Sequence, residues 1–163
     1  MNEEGSDLIS LMHTIYLNDK ERFKKFEYMC KRMLPDIAEI RPLQIQNNLY
    51  TLAIKKKHNL NEIVLGHEGS GVDQLLITVW MIATAKPRSI WFIDEPRLHL
   101  HPGAQKLLYD FFIEETKNGK QIFITSHSMI FIYGATLEQV TLLMYSDNGT
   151  NGFPLQDLAT AEQ

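Results

Sequence analysis

The chain has 163 residues, 44% of them hydrophobic and 22% charged, which suits one globular domain with a sizeable core. Its formal net charge of −4 argues against a surface dominated by nucleic-acid binding. Cys30 is the single cysteine, so an internal disulfide is excluded and a cysteine zinc site is disfavoured. The opening residues are acidic and polar, and the most apolar stretch, residues 75–85, is too short to cross a bilayer. We therefore expect a cytoplasmic protein without a signal peptide or a membrane partner.

The first 39 residues predict two amphipathic helices separated by Asn18 and Asp19, the second ending at Pro35. The apolar stripes that carry this prediction are Leu8, Leu11, Met12 and Ile15 in the first helix and Phe23, Phe26, Met29, Cys30, Met33 and Leu34 in the second. Residues 40–65 change to an alternating pattern and predict a small antiparallel hairpin with its turn at residues 55–59. We interpret the three lysines of that turn as a solvated tip, with DNA contact as the alternative.

The second half predicts alternating helices and apolar strands. The predicted elements are a mostly buried helix at 72–85, a strand at 89–93, a helix at 103–117, a strand at 121–125, a short apolar helix, a third strand at 139–145, turns at 148–149 and 151–152, and a loosely ordered end. The strands at 89–93 and 121–125 are continuous apolar runs, as expected of strands covered on both faces. Strand, helix and strand in this order indicate a right-handed parallel crossover.

Chemically active side chains follow both of these strands. Asp94 and Glu95 end the first, and Thr125, Ser126, His127 and Ser128 end the second. Ligands of parallel sheets bind at the carboxyl ends of the strands, so we expect a magnesium–nucleotide site with Asp94 holding the ion and Glu95 positioning the attacking water. Pro96 is expected to keep Glu95 extended. The alternative is that the carboxylates cap the following helix. Ser126 and Ser128 are weaker candidates for hydrogen bonds at the same place.

A glycine-rich stretch, EGSGVDQ at residues 68–74, leads into the helix at 72–85. Ser70 between two glycines at a helix N-terminus predicts an anion site, because unpaired amides and the positive end of the helix dipole point outward there. The alternative is a plain N-cap by Ser70. Gly66 and Gly71 have phosphate-loop spacing, but Val72 and Asp73 follow where Lys and Ser or Thr are required, and no G-x-x-x-x-G-K-S/T stretch occurs in the chain.

His99 and His101 follow the carboxylates in an H-x-H arrangement that is also found in metal sites. Without a clear third ligand, we favour loop packing for this pair over metal binding.

Taken together, these motifs resemble the C-terminal part of the ABC-type AAA ATPases, the group of RecF-like, SMC-like and OLD-type proteins. Residues 68–74 are similar to the ABC signature motif, and SIWFIDEP at 89–96 looks like a Walker B strand with its catalytic glutamate. RLHLHP at 97–102 resembles the E-L-H-L-H-P run of the group, with Arg97 at an often acidic position. ITSHS at 124–128 resembles the switch-histidine motif. The Walker A segment, the Q-loop and a toprim nuclease segment have no counterpart in the chain.

The resemblance implies a P-loop NTPase fold of class α/β and specific roles for these residues. In this group, ATP is held between two domains in a head-to-tail dimer. Asp94 would bind Mg²⁺, Glu95 and His127 would be catalytic, and all three would face ATP held by a Walker A half. The signature residues that would face the ATP of a partner are Gly69, Ser70, Gly71 and Gln74.

We therefore expect residues 1–163 to form a single partial ATPase domain. Its predicted parts are a helical segment at 1–39, a hairpin at 40–65, a signature, Walker B and switch-histidine core at 66–147, and a tail at 148–163. The expected function is hydrolysis of Mg²⁺-ATP coupled to dimerisation, with a Walker A half, a second copy and DNA or a nuclease as partners; the chain alone is expected to be inactive. The alternative is a non-hydrolytic module, derived from such an ATPase, that binds a partner protein or DNA.

Overall fold

The computed structural model describes residues 3–46, 49–65, 70–96 and 100–157. The chain divides into two compact units, Met1–Thr125 and Ser126–Gln163, and each is described by itself.

The first unit begins with two helices, α1 at Glu3–Asn18 and α2 at Lys20–Met33. Both pack against an antiparallel sheet. Asp19 caps α2, its Oδ1 accepting a hydrogen bond from the Arg22 amide at 3.1 Å. The predicted stripe of α2 is buried from Phe23 to Met33. The prediction for Leu11 of α1 is wrong, because this side chain is 52% exposed while Met12 is fully buried. Successive residues of a helix point about 100° apart, and α1 buries the narrower stripe that includes Met12.

The antiparallel sheet after the helices has three strands rather than the two of a hairpin. They are β1 at Ile37–Gln46, β2 at Leu49–Lys56 and β3 at Asn59–Val64, in the order β1-β2-β3. The stretch at 40–54 folds back on itself, with Ile40 opposite Ile54, which is why it contains two strands. The second turn is also shorter than predicted, since only residues 57 and 58 lie between β2 and β3.

Helix α3, at Ser70–Thr84, provides the centre of the core of the first unit. Its Trp80 is fully buried and contacts Phe26 of α2 edge-on, with ring centroids 5.1 Å apart and an interplanar angle of 86°. Such pairs of aromatic rings add stabilisation beyond their buried area. The contact between Phe26 and Trp80 therefore holds α3 against α2, which determines where the first turn of α3 lies.

The predicted strand–helix–strand unit is present as β4 at Ile90–Asp94, α4 at Pro102–Lys117 and β5 at Gln121–Thr125. The two strands pair in parallel, from Ile90 opposite Gln121 to Asp94 opposite Thr125. The prediction that both faces are covered is wrong: along each strand exposed residues alternate with half-buried ones, and Phe92 is 80% exposed. Among the described residues, packing covers only one face of this sheet.

The second unit contains α5 at Met129–Gly134, a 3-10 turn at Leu137–Gln139, and an antiparallel hairpin of β6 at Thr141–Ser146 and β7 at Gly149–Pro154. The predicted third strand is β6. The predicted turn at 148–149 adjoins the hairpin turn, where Gly149 has a φ of 109° that favours glycine. The predicted turn at 151–152 is wrong, because both residues pair with β6 inside β7. Strand β7 also extends into the segment expected to be loosely ordered, and residues 158–163 lie outside the described part.

Candidate functional site

The carboxyl end of the β4–β5 pair brings Asp94 and Thr125 side by side. They are the last residues of their strands and lie directly opposite each other in the register. The Thr125 hydroxyl donates a hydrogen bond to Oδ1 of Asp94. Both side chains are exposed, on the same face of the sheet as Phe92 and Phe123. The Asp94 carboxylate is therefore held in a defined orientation and is accessible to a ligand.

Glu95 follows Asp94 in a backbone conformation that side-chain-bearing residues rarely adopt. Its φ is 43°, so the expectation that Pro96 keeps it extended is wrong. Its amide donates to the Thr125 carbonyl at 3.0 Å, which carries the strand pairing one residue beyond Asp94, and the chain then turns toward the buried Pro96. A left-handed conformation costs such a residue roughly 1–3 kcal/mol, and strain of this kind clusters at active sites.

The signature-like stretch leads into α3 as predicted, since Ser70 is the first helical residue. Gly71 is buried and Gln74 is half-buried in the first turns of the helix. Gly69 lies outside the described residues, and so does the preceding part of the stretch. The first amides of a helix have no partner within the helix. Because the N-cap precedes the first helical residue, Ser70 lies one position past the N-cap of α3, and the alternative of a plain N-cap by Ser70 is wrong. Anion binding at Ser70 stays a prediction.

His127 belongs to the second unit, where its side chain is exposed at the start of the segment that leads into α5. The two serines beside it shape this helix start. Ser128 is buried and its hydroxyl accepts from the Ile130 amide at 3.3 Å, while the Ser126 hydroxyl accepts from the Ser128 amide at 3.1 Å. The serines thus hold the turn on which His127 lies.

His101 has a structural role at the start of α4. Its Nδ1 accepts a hydrogen bond from the Gly103 amide at 3.2 Å, which makes it the N-cap of the helix. This contact agrees with the packing role that we favoured for the H-x-H pair. His99 lies outside the described residues.

Thr125 was not among the predicted site residues, although its position could have revealed it. The sequence places a hydroxyl at the last position of the strand after α4, and parallel pairing in register brings that position to Asp94. The missing information was the register, which follows from pairing of the two strands and not from the sequence of either one.

The Asp94 carboxylate at the carboxyl end of the β4–β5 pair suits Mg²⁺ that arrives with a nucleotide better than a metal ion held by protein side chains alone. Within the described ranges, no three His, Cys, Asp or Glu side chains converge on a possible metal position. Mg²⁺ bound with substrate phosphates needs only one or two carboxylates from the protein and keeps several waters. The accessible carboxylate of Asp94 meets that requirement.

In the described part of the chain, every helix is too short or too polar to cross a bilayer.

Comparisons with known proteins agree on the type of domain. Residues 3–132 match the family described as "AAA domain, putative AbiEii toxin, Type IV TA system". The phospholipid-transporting ATPase ABCA3 of Homo sapiens is 31% identical over 85 residues, which are 52% of this chain and 5% of that protein. This chain therefore spans only a small part of that relative.

Solved structures of SMC ATPases have a similar fold. One, from work on ATP-driven dimerization and DNA-stimulated activation of SMC ATPases, has a TM-score of 0.65 at 12% identity and covers 92% of this chain and 94% of its own. An Smc head domain from Pyrococcus furiosus, bound to the C-terminal domain of ScpA, gives 0.65 at 14% identity, covering 88% and 37%. One from Pyrococcus yayanosii gives 0.66 at 12%, covering 88% and 29%.

The fold is thus that of SMC ATPase heads, and the family match supports an ATPase-type nucleotide-binding module. The chain belongs to the AbiEii-like AAA domain family, which confirms the predicted relationship to the ABC-type AAA ATPases.

Proposed function

We propose that this chain supplies the hydrolytic carboxylates and the signature helix of a composite Mg²⁺-ATP site. The observation that carries the proposal is the arrangement at the carboxyl end of the β4–β5 pair. There, Asp94 is exposed and is oriented by Thr125, and Glu95 follows in a left-handed conformation. A capping role for the two carboxylates explains neither the orientation of Asp94 nor the conformation of Glu95, because the N-cap of α4 is His101.

In the proposed mechanism, the protein orients the reactants and handles one proton. Asp94 would hold Mg²⁺ through water, and the ion would supply positive charge that offsets the charge of the nucleotide's phosphates. Glu95 accepts a proton from the attacking water, whose oxygen bonds to the γ-phosphorus while the bond from that phosphorus to the bridging oxygen of ADP breaks, so ADP and inorganic phosphate leave. The resemblance assigns the switch-histidine role to His127, and that role stays a prediction.

The site also needs a phosphate loop. We assign this loop to a Walker A segment, either on a partner polypeptide or on the same polypeptide. The signature-like residues Gly69, Ser70, Gly71 and Gln74 are assigned to the γ-phosphate of ATP held by a second copy, because the N-terminus of a helix favours anions. ATP then joins two copies head to tail, so hydrolysis is coupled to dimerisation. Without the amides and lysine of a phosphate loop, the 163-residue chain alone is expected to turn over no ATP.

Glu95→Gln tests the central assignment in an assembly reconstituted with a polypeptide that carries the phosphate loop. The substitution keeps the size of the side chain but removes the carboxylate that accepts the proton, so turnover should fall by roughly 10²–10⁴-fold. Nucleotide binding should be retained and the ATP-bound dimer should accumulate, as measured by phosphate release, nucleotide titration and sedimentation.

The matched control is Glu114→Gln, which changes an exposed carboxylate on α4 and should leave turnover unchanged. Normal turnover in the Glu95→Gln assembly would show that another group activates the water, and the proposal would be wrong.

A second candidate function is a non-hydrolytic module that binds a partner protein or DNA. The observation that favours it is the exposed aromatic face of β4 and β5, where Phe92 and Phe123 stack with ring centroids 5.0 Å apart. Exposed apolar patches mark interaction surfaces. In this case, reconstitution with a phosphate-loop polypeptide produces no Glu95-dependent turnover, whereas partner binding depends on Phe92.

A further inference from the structure

Thr125 contacts the proposed site through two different groups. Its hydroxyl donates to Oδ1 of Asp94, and its carbonyl accepts the Glu95 amide at 3.0 Å. One residue of β5 therefore fixes the side chain of the first carboxylate and the backbone of the second. Because the carbonyl belongs to the backbone, a substitution of the side chain removes the hydroxyl contact and leaves this acceptor in place.

The hydroxyl contact has little to contribute to folding. Both side chains are exposed, on the uncovered face of the sheet, where water competes for the same hydrogen bond. What the contact does determine is geometry, because a carboxylate at the end of a strand has several staggered rotamers and a hydrogen bond to one oxygen selects among them. Oδ1 is engaged by Thr125, and the chosen rotamer sets the direction of Oδ2.

We propose that Thr125 is the positioning residue of Asp94: its hydroxyl holds Oδ1 so that the carboxylate presents Oδ2 toward the water shell of a magnesium–nucleotide complex. This inference rests on the proposed function for the identity of the ligand, but not for the orientation of the carboxylate. Hydrogen-bond partners that orient metal-binding carboxylates typically change metal affinity by about 10–100-fold when removed.

The orientation is testable in the full 163-residue chain without any ligand. Thr125→Val keeps the shape and the strand propensity of the side chain but removes the hydroxyl, whereas Thr125→Ser keeps the hydroxyl. Three-bond couplings between Hα and Hβ of Asp94 report its χ1 by NMR. We expect a single rotamer in the native chain and in Thr125→Ser, and rotamer averaging in Thr125→Val. Averaging in the native chain, or a single unchanged rotamer in Thr125→Val, would overturn the inference.

The ligand is tested with Mn²⁺ as the probe, in the assembly with a phosphate-loop polypeptide and a non-hydrolysable ATP analogue. Electron paramagnetic resonance gives the Mn²⁺ affinity, which should fall roughly 10–100-fold in Thr125→Val and stay near native in Thr125→Ser. Asp94→Asn separates the two hypotheses. If Asp94→Asn weakens Mn²⁺ binding and Thr125→Val does not, the site stands and the role of Thr125 is refuted. If neither weakens it, the metal assignment of the proposed function fails, and the role of Thr125 toward a metal fails with it.

Discussion

Glu115 is a charged residue inside the core of the first unit. Its carboxylate on α4 is fully buried and is paired with Lys25 of α2 at 2.6 Å and with Lys120, which precedes β5 and is itself almost completely buried. A buried charge is tolerated only when its partners compensate for the lost hydration. The Lys25–Glu115–Lys120 cluster therefore ties three segments of the first unit together.

Glu115→Ala should destabilise the chain by about 3–5 kcal/mol, because it leaves the Lys120 ammonium buried without its carboxylate. Urea unfolding followed by circular dichroism measures the change. Glu114→Ala is the matched control, since that neighbouring carboxylate is exposed, and it should cost less than about 0.5 kcal/mol. Equal effects of the two substitutions would mean that the cluster does not stabilise the fold.

The same cluster predicts a dependence of stability on pH. Burial by itself raises the pKa of Glu115, but hydrogen bonds and charge from Lys120 and Lys25 outweigh burial, and the pKa lies below its usual value. A carboxyl with a lowered folded-state pKa stabilises the fold above its unfolded pKa of about 4.3 and loses that contribution as pH falls through the folded value. The stability difference between the native chain and Glu115→Gln should thus be constant from neutral pH down to about 5 and shrink below about 4. A difference that grows on acidification would contradict this assignment.

At the scale of elements, helix α2 is the best example of agreement between pattern and structure. The cap, the buried stripe and the end of the helix near Pro35 are all where the sequence places them. The reason is that a cap and a 3.6-residue period are local properties, which need no knowledge of what the helix packs against. Packing of Phe26 against Trp80 then decides where the helix lies.

Asp19→Ala should lower the free energy of unfolding by about 1 kcal/mol, because the Arg22 amide at the start of α2 loses its acceptor. Thermal or urea unfolding is a sufficient measurement. Asp19→Asn keeps an acceptor oxygen and should remain within a few tenths of a kcal/mol of the native chain. If both variants lose the same stability, the negative charge near the helix N-terminus matters and the hydrogen bond does not.

At the scale of the whole chain, each unit exposes apolar surface. In the first unit, Ile90, Phe92 and Phe123 are exposed on one face of the β4–β5 sheet, and in the second unit all residues of β6 are exposed. Monomeric proteins rarely expose contiguous apolar patches of this kind. Two-stranded sheets are also marginal by themselves and have unpaired edges. Both features indicate surfaces that associate with other polypeptide segments.

We expect the isolated chain to self-associate at micromolar and higher concentrations, with a weight-average mass in sedimentation velocity that rises with concentration. Phe92→Ser should reduce this association because it removes the most exposed aromatic ring of the β4–β5 face. Leu11→Ser, which changes an exposed apolar side chain on α1 instead of one on the β4–β5 sheet, should leave association unchanged. A native chain that stays monomeric at high concentration would refute the prediction.

The amino-acid sequence by itself determined the helices, the strand–helix–strand order and the candidate residues Asp94, Glu95 and His127. These follow from local periodicity, caps and the residue types at strand ends, and the family match agrees with the resemblance that they supported. The assignment of catalytic, metal and signature roles stays a prediction.

Tertiary structure decided the rest. The Thr125–Asp94 contact needs the register of two strands, the left-handed Glu95 follows from the path of the chain after that pairing, and the Glu115 cluster needs three segments to meet. The uncovered face of β4 and β5 was also invisible in the sequence, because a continuous apolar strand looks the same whether both of its faces are packed or only one. Periodicity records what each residue prefers along the chain, whereas register, burial of charge and coverage of a face depend on which distant segments come into contact.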